Sequence, residues 1–258
     1  KLSLELAMDA FMKNDENLAE KVYENEEIIN NLEECITNYL VKLSKCELSD
    51  KEKNIVASTF HVVNDIERIG DHAENLADLT VQKINKKLSY SDEAIDEITN
   101  MYQSTLKALD ISIESYSDRD SAKAKEITNV EAEIDKMHKR YRDLHIKRLH
   151  EGTCNAYAGA IFLDLLSNLE RIGDHSTNIA EIVEVSNTVG RRMAFSIVGN
   201  QDPTANTPSE IDASIAEKIL ILPPFGSGNI VYYILGAVVG IILIGGITLI
   251  IKKVLIIK

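Results

Sequence analysis

The stretches DIERIGDHAEN at residues 65–75 and NLERIGDHSTN at residues 168–178 decide how this chain reads. They share ERIGDH and the Asn three places beyond it, at an offset of 103 residues. Such identity does not recur by chance in a chain of 258 residues, and it marks a tandem duplication. In each copy an acid, a second acid and an amide stand four apart: Glu67, Asp71 and Asn75, then Glu170, Asp174 and Asn178. On a helix this spacing stacks all three along one face.

The flanks support helices. Residues 1–187 contain no proline, so no helix there has to break at one. Ser49-Asp50-Lys51-Glu52 has the form of a helix start, a polar cap followed by early acids, and predicts a helix to about Lys86 that carries the first copy. Upstream, Leu4, Ala7, Met8 and Phe11 sit at helical spacing in residues 1–13, Asn14 and Asp15 turn the chain, and residues 16–45 form a long helix. Leu18, Val22, Ile29, Leu32, Ile36, Tyr39 and Leu43 make its apolar stripe. The pattern then repeats. Ser91 opens a helix to about Ser117, Asp118-Arg119-Asp120 turns, and residues 121–149 form the next helix through Ile127, Val130, Ile134, Met137, Tyr141 and Leu144. Gly152-Thr153 breaks it, and residues 155–187 carry the second copy.

The expected fold is therefore all-α, a tandem repeat of two three-helix bundles over residues 1–88 and 89–187. The first helix has about 13 residues and its counterpart about 26. By this internal symmetry, the front of the first helix is expected to be missing.

Residues 188–229 change character. GNQDPTANTPSE reads as a linker. Residues 230–251 (IVYYILGAVVGIILIGGITLII) carry no charge and would span about 33 Å as a helix, enough for a bilayer core. Tyr232 and Tyr233 at one end and Lys252-Lys253 at the other are placed as interfacial anchors, so one transmembrane helix and a basic tail at 252–258 are expected. LPPFGSG, the apolar span and KK also resemble a sortase-type sorting signal, with Phe225 standing where that motif has Thr. The positive-inside rule on this tail would place the bundle outside the cell.

Charge narrows the partners. The net charge is −13; residues 188–258 carry +2, leaving −15 on residues 1–187. A nucleic-acid partner is not expected, because phosphate binding needs basic surface. Cations and a basic protein surface fit. Cys35, Cys46 and Cys154 are odd in number and have no paired spacing, which argues against a disulfide framework and for a reducing compartment.

Stacked carboxylates have a cost. A like-charge pair at i,i+4 destabilises a helix by ~0.2–0.5 kcal/mol. Gly70 and Gly173 in mid-helix each cost ~1 kcal/mol relative to Ala. Both choices make sense where another helix or an ion comes close. The preceding long helix of each half carries a matching pattern, Glu131 and Asp135 in the second half and Glu26 and Asn30 in the first. Antiparallel packing would gather Glu26, Glu67 and Asp71 at one place and Glu131, Asp135, Glu170 and Asp174 at another. Carboxylates so grouped need a cation, or must titrate higher. Oxygen-rich groups suit Mg, Mn or ferric iron and can take Zn. The alternative is a solvated acidic face paired by Arg68 and Arg171. His72 and His175 do not form the Glu-x-x-His arrangement of di-iron bundles and are expected to pack or to support neighbours by hydrogen bonds. No nucleophile–base constellation, phosphate loop or HExxH is present, so no enzymatic activity is expected.

LSDKEKNIVASTFHVVNDIERIGDHAENLADL (48–79) and RLHEGTCNAYAGAIFLDLLSNLERIGDHSTNIAEIV (148–183) resemble the PhoU family, with wording similar to the PhoU-like domain of bacterial sodium–phosphate cotransporter proteins. The resemblance covers roughly residues 1–187. It implies multinuclear iron or zinc clusters with Glu67, Asp71, Glu170 and Asp174 as ligands, joined by Glu26, Glu131 and Asp135. Asn30 departs from the acid expected there, which predicts a weaker first site. The resemblance also implies a regulatory role in phosphate uptake and signalling, a phosphate carrier or its sensor kinase as partner, and a bundle on the cytoplasmic side. Assembly with further copies of the chain stays open. The competing expectation is a membrane-anchored helical scaffold or surface protein with no phosphate role.

Overall fold

The computed structural model describes the backbone of residues 1–194 and the side chains of residues 1–183. Seven helices follow one another in the described region: α1 (Leu2–Lys13), α2 (Glu16–Leu43), α3 (Asp50–Asn85), α4 (Asp92–Asp118), α5 (Ser121–Ala124), α6 (Ile127–His150) and α7 (Ala156–Ala194). The fold is all-helical with two repeats, α1–α3 and α4–α7. Among the described residues no helix is long and apolar enough to cross a membrane. The expected linker beyond residue 194, the span at 230–251 and the tail at 252–258 lie outside the described residues.

The helix boundaries follow from local chemistry. At the start of α3 the Ser49 hydroxyl accepts the Glu52 N–H at 3.4 Å while the Glu52 carboxylate accepts the Ser49 N–H at 2.8 Å, a capping box. The two inter-helix turns of the halves match residue for residue. Asn14 (φ 53°) ends α1 and Arg119 (φ 54°) ends α4, both left-handed, and the Asp that follows caps the next helix. Asp15 accepts the Asn17 N–H at 2.9 Å; Asp120 accepts those of Ala122 at 2.9 Å and Lys123 at 3.1 Å.

Two boundaries differ from the sequence reading. The helix expected over 121–149 is split, because the Glu126 N–H donates to the Lys123 carbonyl three residues back, a tightened turn that separates α5 from α6. Helix α7 also runs to Ala194, past residue 187, since the first helix-breaking proline comes only at Pro203.

Lys1–Val185 form one compact unit; of the second unit, Ser186–Lys258, only the end of α7 is described. Leu4, Met8 and Phe11 of α1, Val22 of α2 and Leu76 of α3 join Ile98 and Met101 of α4, Ile134 of α6 and Phe162, Leu165 and Leu169 of α7 in one continuous buried cluster. Burial of each such side chain contributes ~1.5–3 kcal/mol.

The two motif-bearing helices, α3 and α7, meet along a seam with local two-fold character. His72 Nδ1 lies 2.9 Å from Asn168 Oδ1, and its counterpart His175 Nδ1 lies 2.8 Å from Asp65 Oδ1. The two imidazoles stack with centroids 5.7 Å apart. Each copy of the motif thus supplies both a histidine and its partner's acceptor, as in an isologous interface. The histidines support the seam rather than the acidic faces.

Candidate metal centre

Ridge spacing on α2, α3, α6 and α7 carries the acids to two places, one per half. In the second half Asp135, Glu170 and Asp174 each offer a carboxylate oxygen, and all three lie within 4.8 Å of one another. Among the described residues no other group of three or more acids, histidines and cysteines comes so close. Glu131 is outside this trio but near it: burial first, then the charges of Asp135 and Asp174, raise its pKa. Glu170 and Asp174 are raised as well, chiefly by burial; Asp174 reinforces the effect on Glu170 and Asp135 that on Asp174.

The first half is arranged otherwise. Glu26 on α2 is buried, 3% exposed, and neither carboxylate oxygen has a hydrogen-bond partner. Burial, reinforced by Asp71, Glu74 and Glu67, pushes its pKa up to about 7. The seat for this carboxylate is provided by Gly70. A Cβ at that position would collide with Glu26 Oε2 and stand 3.1 Å from both Glu26 Cδ and Ile29 Cδ1. The mid-helix glycine therefore serves a close approach, as the sequence suggested. Its counterpart Gly173 faces Ile134 Cδ1, which a Cβ would meet at 3.0 Å, and no carboxylate.

Arg68 and Arg171 do pair with the faces they flank. Arg68 Nη1 lies 3.2 Å from Asp71 and Nε 3.6 Å from Glu67; the Arg171 distances are 3.6 Å to Asp174 and 3.7 Å to Glu170. These arginines are more than half exposed, so each pair contributes ~0–1 kcal/mol. Neither reaches Glu26.

The donor chemistry fits a cation. An ionised carboxylate does not stay buried without a partner unless a cation or a proton joins it. Glu26, Glu67 and Asp71 in the first half, and Glu131, Asp135, Glu170 and Asp174 in the second, are the oxygen donors available. Two residues that sequence reading passed over also belong here. Glu74 lies one turn beyond Asp71 on the same stripe of α3 and acts electrostatically on both Asp71 and Glu26. His138, three residues after Asp135 on α6, stands near Asp135 and Asp174; burial and Arg142 lower its pKa. Their signal in the sequence is the i,i+3 and i,i+7 spacing to the acids, which lies off the repeated four-residue step.

The chain is similar to known proteins over most of this region. A family model described as the PhoU domain matches residues 1–80 and 98–183. The phosphate-specific transport system accessory protein PhoU homolog of Clostridium acetobutylicum is 29% identical over 177 residues, 67% of this chain and 79% of that protein. PhoU homolog 1 of Thermotoga maritima is 28% identical over 182 residues, covering 70% and 78%. The Xylella fastidiosa homolog is 30% identical over 181 residues, covering 70% and 75%. Among solved structures, PhoU from Pseudomonas aeruginosa superposes with a TM-score of 0.68 at 24% identity, over 72% of this chain and 89% of that one. The phosphate transport system regulatory protein PhoU from Streptococcus pneumoniae gives 0.63 at 21%, over 72% and 87%. At those identities the structures speak for the fold alone. Both helical repeats, each with its ERIGDH, fall inside the matched ranges, and the chain belongs to the PhoU family.

Proposed function

We propose that this chain is a non-enzymatic, metal-binding PhoU-type regulator of phosphate transport. The relatives' names supply the transport system. The acidic faces supply the working part, and the observation that carries the metal reading is the trio Asp135, Glu170 and Asp174, whose oxygens lie within 4.8 Å of one another. Three carboxylates this close repel unless a cation sits among them.

In this reading Glu131, Asp135, Glu170 and Asp174 hold ions in the second half, and Glu26, Glu67 and Asp71 in the first. Iron or zinc clusters suit these donors by resemblance, and Mg or Mn by the oxygen chemistry. A bound multivalent cation supplies fixed positive charge that lets neighbouring helices keep their acids in register. The protein's own part is to hold the carboxylates half-buried on rigid helices. The remaining negative surface, within a region of net charge −15, docks a basic face on a phosphate carrier or its sensor kinase. The carrier takes the sodium–phosphate cotransporter form if the wording of the motifs is followed. Residues 230–251 tether the chain to the membrane, with the bundle on the cytoplasmic side where such a partner is regulated.

Metal analysis of the purified full chain tests the first step; less than one transition-metal, Mg or Mn ion per chain in native preparations counts against it. Affinity capture from membranes tests the second, and failure to recover a phosphate carrier or sensor kinase sinks that part. A helical scaffold without a phosphate role is the competing reading, favoured by the Arg68 and Arg171 pairs. It requires that Glu170→Asn with Asp174→Asn leave phosphate-dependent regulation intact.

A further inference from the structure

Duplication makes α2 a control for α6, residue by residue at an offset of 105. Over 136–147, α6 carries Lys136, Lys139, Arg140, Arg142 and Lys147 against one acid, Asp143. The matching stretch of α2, 31–42, has one base, Lys42, against Glu33 and Glu34. A region of net charge −15 thus bears a basic patch on one helix and not on its repeat. All five bases are exposed. Lys147 lies 3.7 Å from Glu151, but Lys136, Lys139, Arg140 and Arg142 are in no ion pair among the described residues. Helical spacing sets Lys136, Arg140 and Lys147 within about 40° of one line, with Lys139 and Asp143 beside it. Leu144 and Ile146, each 37% exposed, flank that line about 80° to either side. They are two of the five large apolar side chains exposed among the described residues, so the face is basic and apolar at once.

We propose that the outer face of α6 seats the bundle on an anionic lipid surface. Lys136, Lys139, Arg140 and Lys147 meet the lipid phosphates, and Leu144 and Ile146 meet the boundary between headgroups and acyl chains. Charge complementarity fixes the sign of the occupant, since clustered Lys and Arg on a helix face are attracted to anionic headgroups. The apolar flanks fix its kind. A lipid surface covers them, as it covers the apolar side of an interfacial helix, whereas nucleic-acid phosphates would leave them in water. The acids elsewhere on the bundle do not cancel the attraction, because exposed charges more than ~8 Å apart are largely screened at physiological salt. The proposal goes beyond the regulatory reading and takes from it only the tether at 230–251, which brings a lipid surface within reach.

The test is a lysine footprint of the full chain on vesicles of phosphatidylcholine alone and of phosphatidylcholine with phosphatidylglycerol. Lysines are acetylated with a water-soluble reagent and read by mass spectrometry. Lys136, Lys139 and Lys147 should react about threefold or more slowly on the anionic vesicles than on the neutral ones. Lys21 of α2 and Lys51 of α3, both exposed, should react alike on the two. Salt at ~0.5 M should remove the difference. In K139Q/R140Q the protection of Lys147 should be lost with the circular dichroism unchanged, since both side chains are exposed. Equal acetylation on the two vesicle types overturns the docking and leaves the tether standing. Protection on anionic vesicles by a chain that does not bind neutral ones upholds the docking and removes the tether. Protection in detergent without lipid, growing with protein concentration, assigns the face to a second copy of the chain and overturns the proposal. Protection of Lys147 that survives K139Q/R140Q overturns the role of these bases.

Discussion

Helices α2 and α3 turn one carboxylate inward, whereas α6 and α7 keep theirs at the rim. In the first half Glu26 lies buried and unpartnered against Gly70. In the second, the same helical position is the half-buried Glu131, the glycine faces Ile134, and the three closest acids include the exposed Asp135. The second half places its buried charge elsewhere. Arg148 of α6 makes a two-bond pair with Glu97 of α4, at 3.0 and 2.5 Å, over the Phe162 ring. In the first half Leu43 stands where Arg148 does. One duplicated pattern has become a half that leaves a buried charge unmet and a half that satisfies it internally. A charge met by the protein serves stability; one left unmet is available to something that binds.

The contrast breaks most visibly at Glu97. Replacing Glu97 with Ala leaves Arg148 mostly buried and unpaired, and should cost about 3 kcal/mol, the size usual when one partner of a buried pair is removed. Urea unfolding of the full chain measures it, with Leu43→Ala as the first-half comparison and a cost nearer ~1 kcal/mol because that side chain is only half-buried. Equal losses at the two positions would remove the distinction.

Glu26 should act in the opposite direction. Its carboxyl holds its proton to about pH 7 in the folded chain, against 4.5 for the ordinary group. Between those values the unfolded chain releases the proton first, so metal-free stability falls as pH rises from about 4.5 to about 7 and stays low above it. Glu26→Gln removes that loss. It should stabilise the metal-free protein by at most about 3 kcal/mol at pH 8 and by almost nothing at pH 4. Glu131→Gln, half-buried, should show the same sign and a much smaller effect. A stability difference between Glu26→Gln and the wild type that does not change with pH would mean that the carboxylate is not desolvated.

Much of this was readable from the residues. The repeat, the paired turns at Asn14-Asp15 and Arg119-Asp120, the capping box at Ser49 and the apolar stripes are local, and local chemistry is printed in order along the chain. The pairing of α2 with α3 and of α6 with α7 followed from their shared spacing of acids. What could not be read was depth. Glu26 and Glu131 are the same residue type at the same position of the repeat, and only the packing of Ile29, Ile134 and the glycines decides which one sinks. The seam was hidden for a related reason: Asp65 and Asn168 gain meaning only when α3 and α7 meet across His175 and His72.

The glycines refine the comparison at smaller energies. Gly70→Ala puts a methyl where the Glu26 carboxylate sits and should drive it from its seat. Helix propensity, worth up to ~1 kcal/mol, offsets part of the strain, so stability should move by less than about 1 kcal/mol. Mn2+ binding in the first half should be lost all the same. Gly173→Ala needs only a few tenths of an ångström from the flexible end of Ile134 and should raise stability by roughly 0.5 kcal/mol with metal binding unchanged. Parallel behaviour of the two variants in binding would argue that both sites are open in the same way.

The smallest effect concerns Arg68 and Arg171, and it discriminates between pairing and ligation. Both arginines lie at the mouth of an acidic face, exposed, within 3.2–3.7 Å of the acids they flank. If pairing is what neutralises the faces, Arg68→Ala and Arg171→Ala should each destabilise the metal-free chain and leave metal binding weak. If the faces await a cation, removing a competing positive charge should tighten cation binding a few-fold while stability changes by under about 1 kcal/mol. The second pattern is expected, and more strongly at Arg68, whose guanidinium sits closer to its acid. Because exposed charges are screened, the gain should shrink between low salt and physiological ionic strength. A gain that survives high salt would place the arginine deeper in the site than its exposure allows.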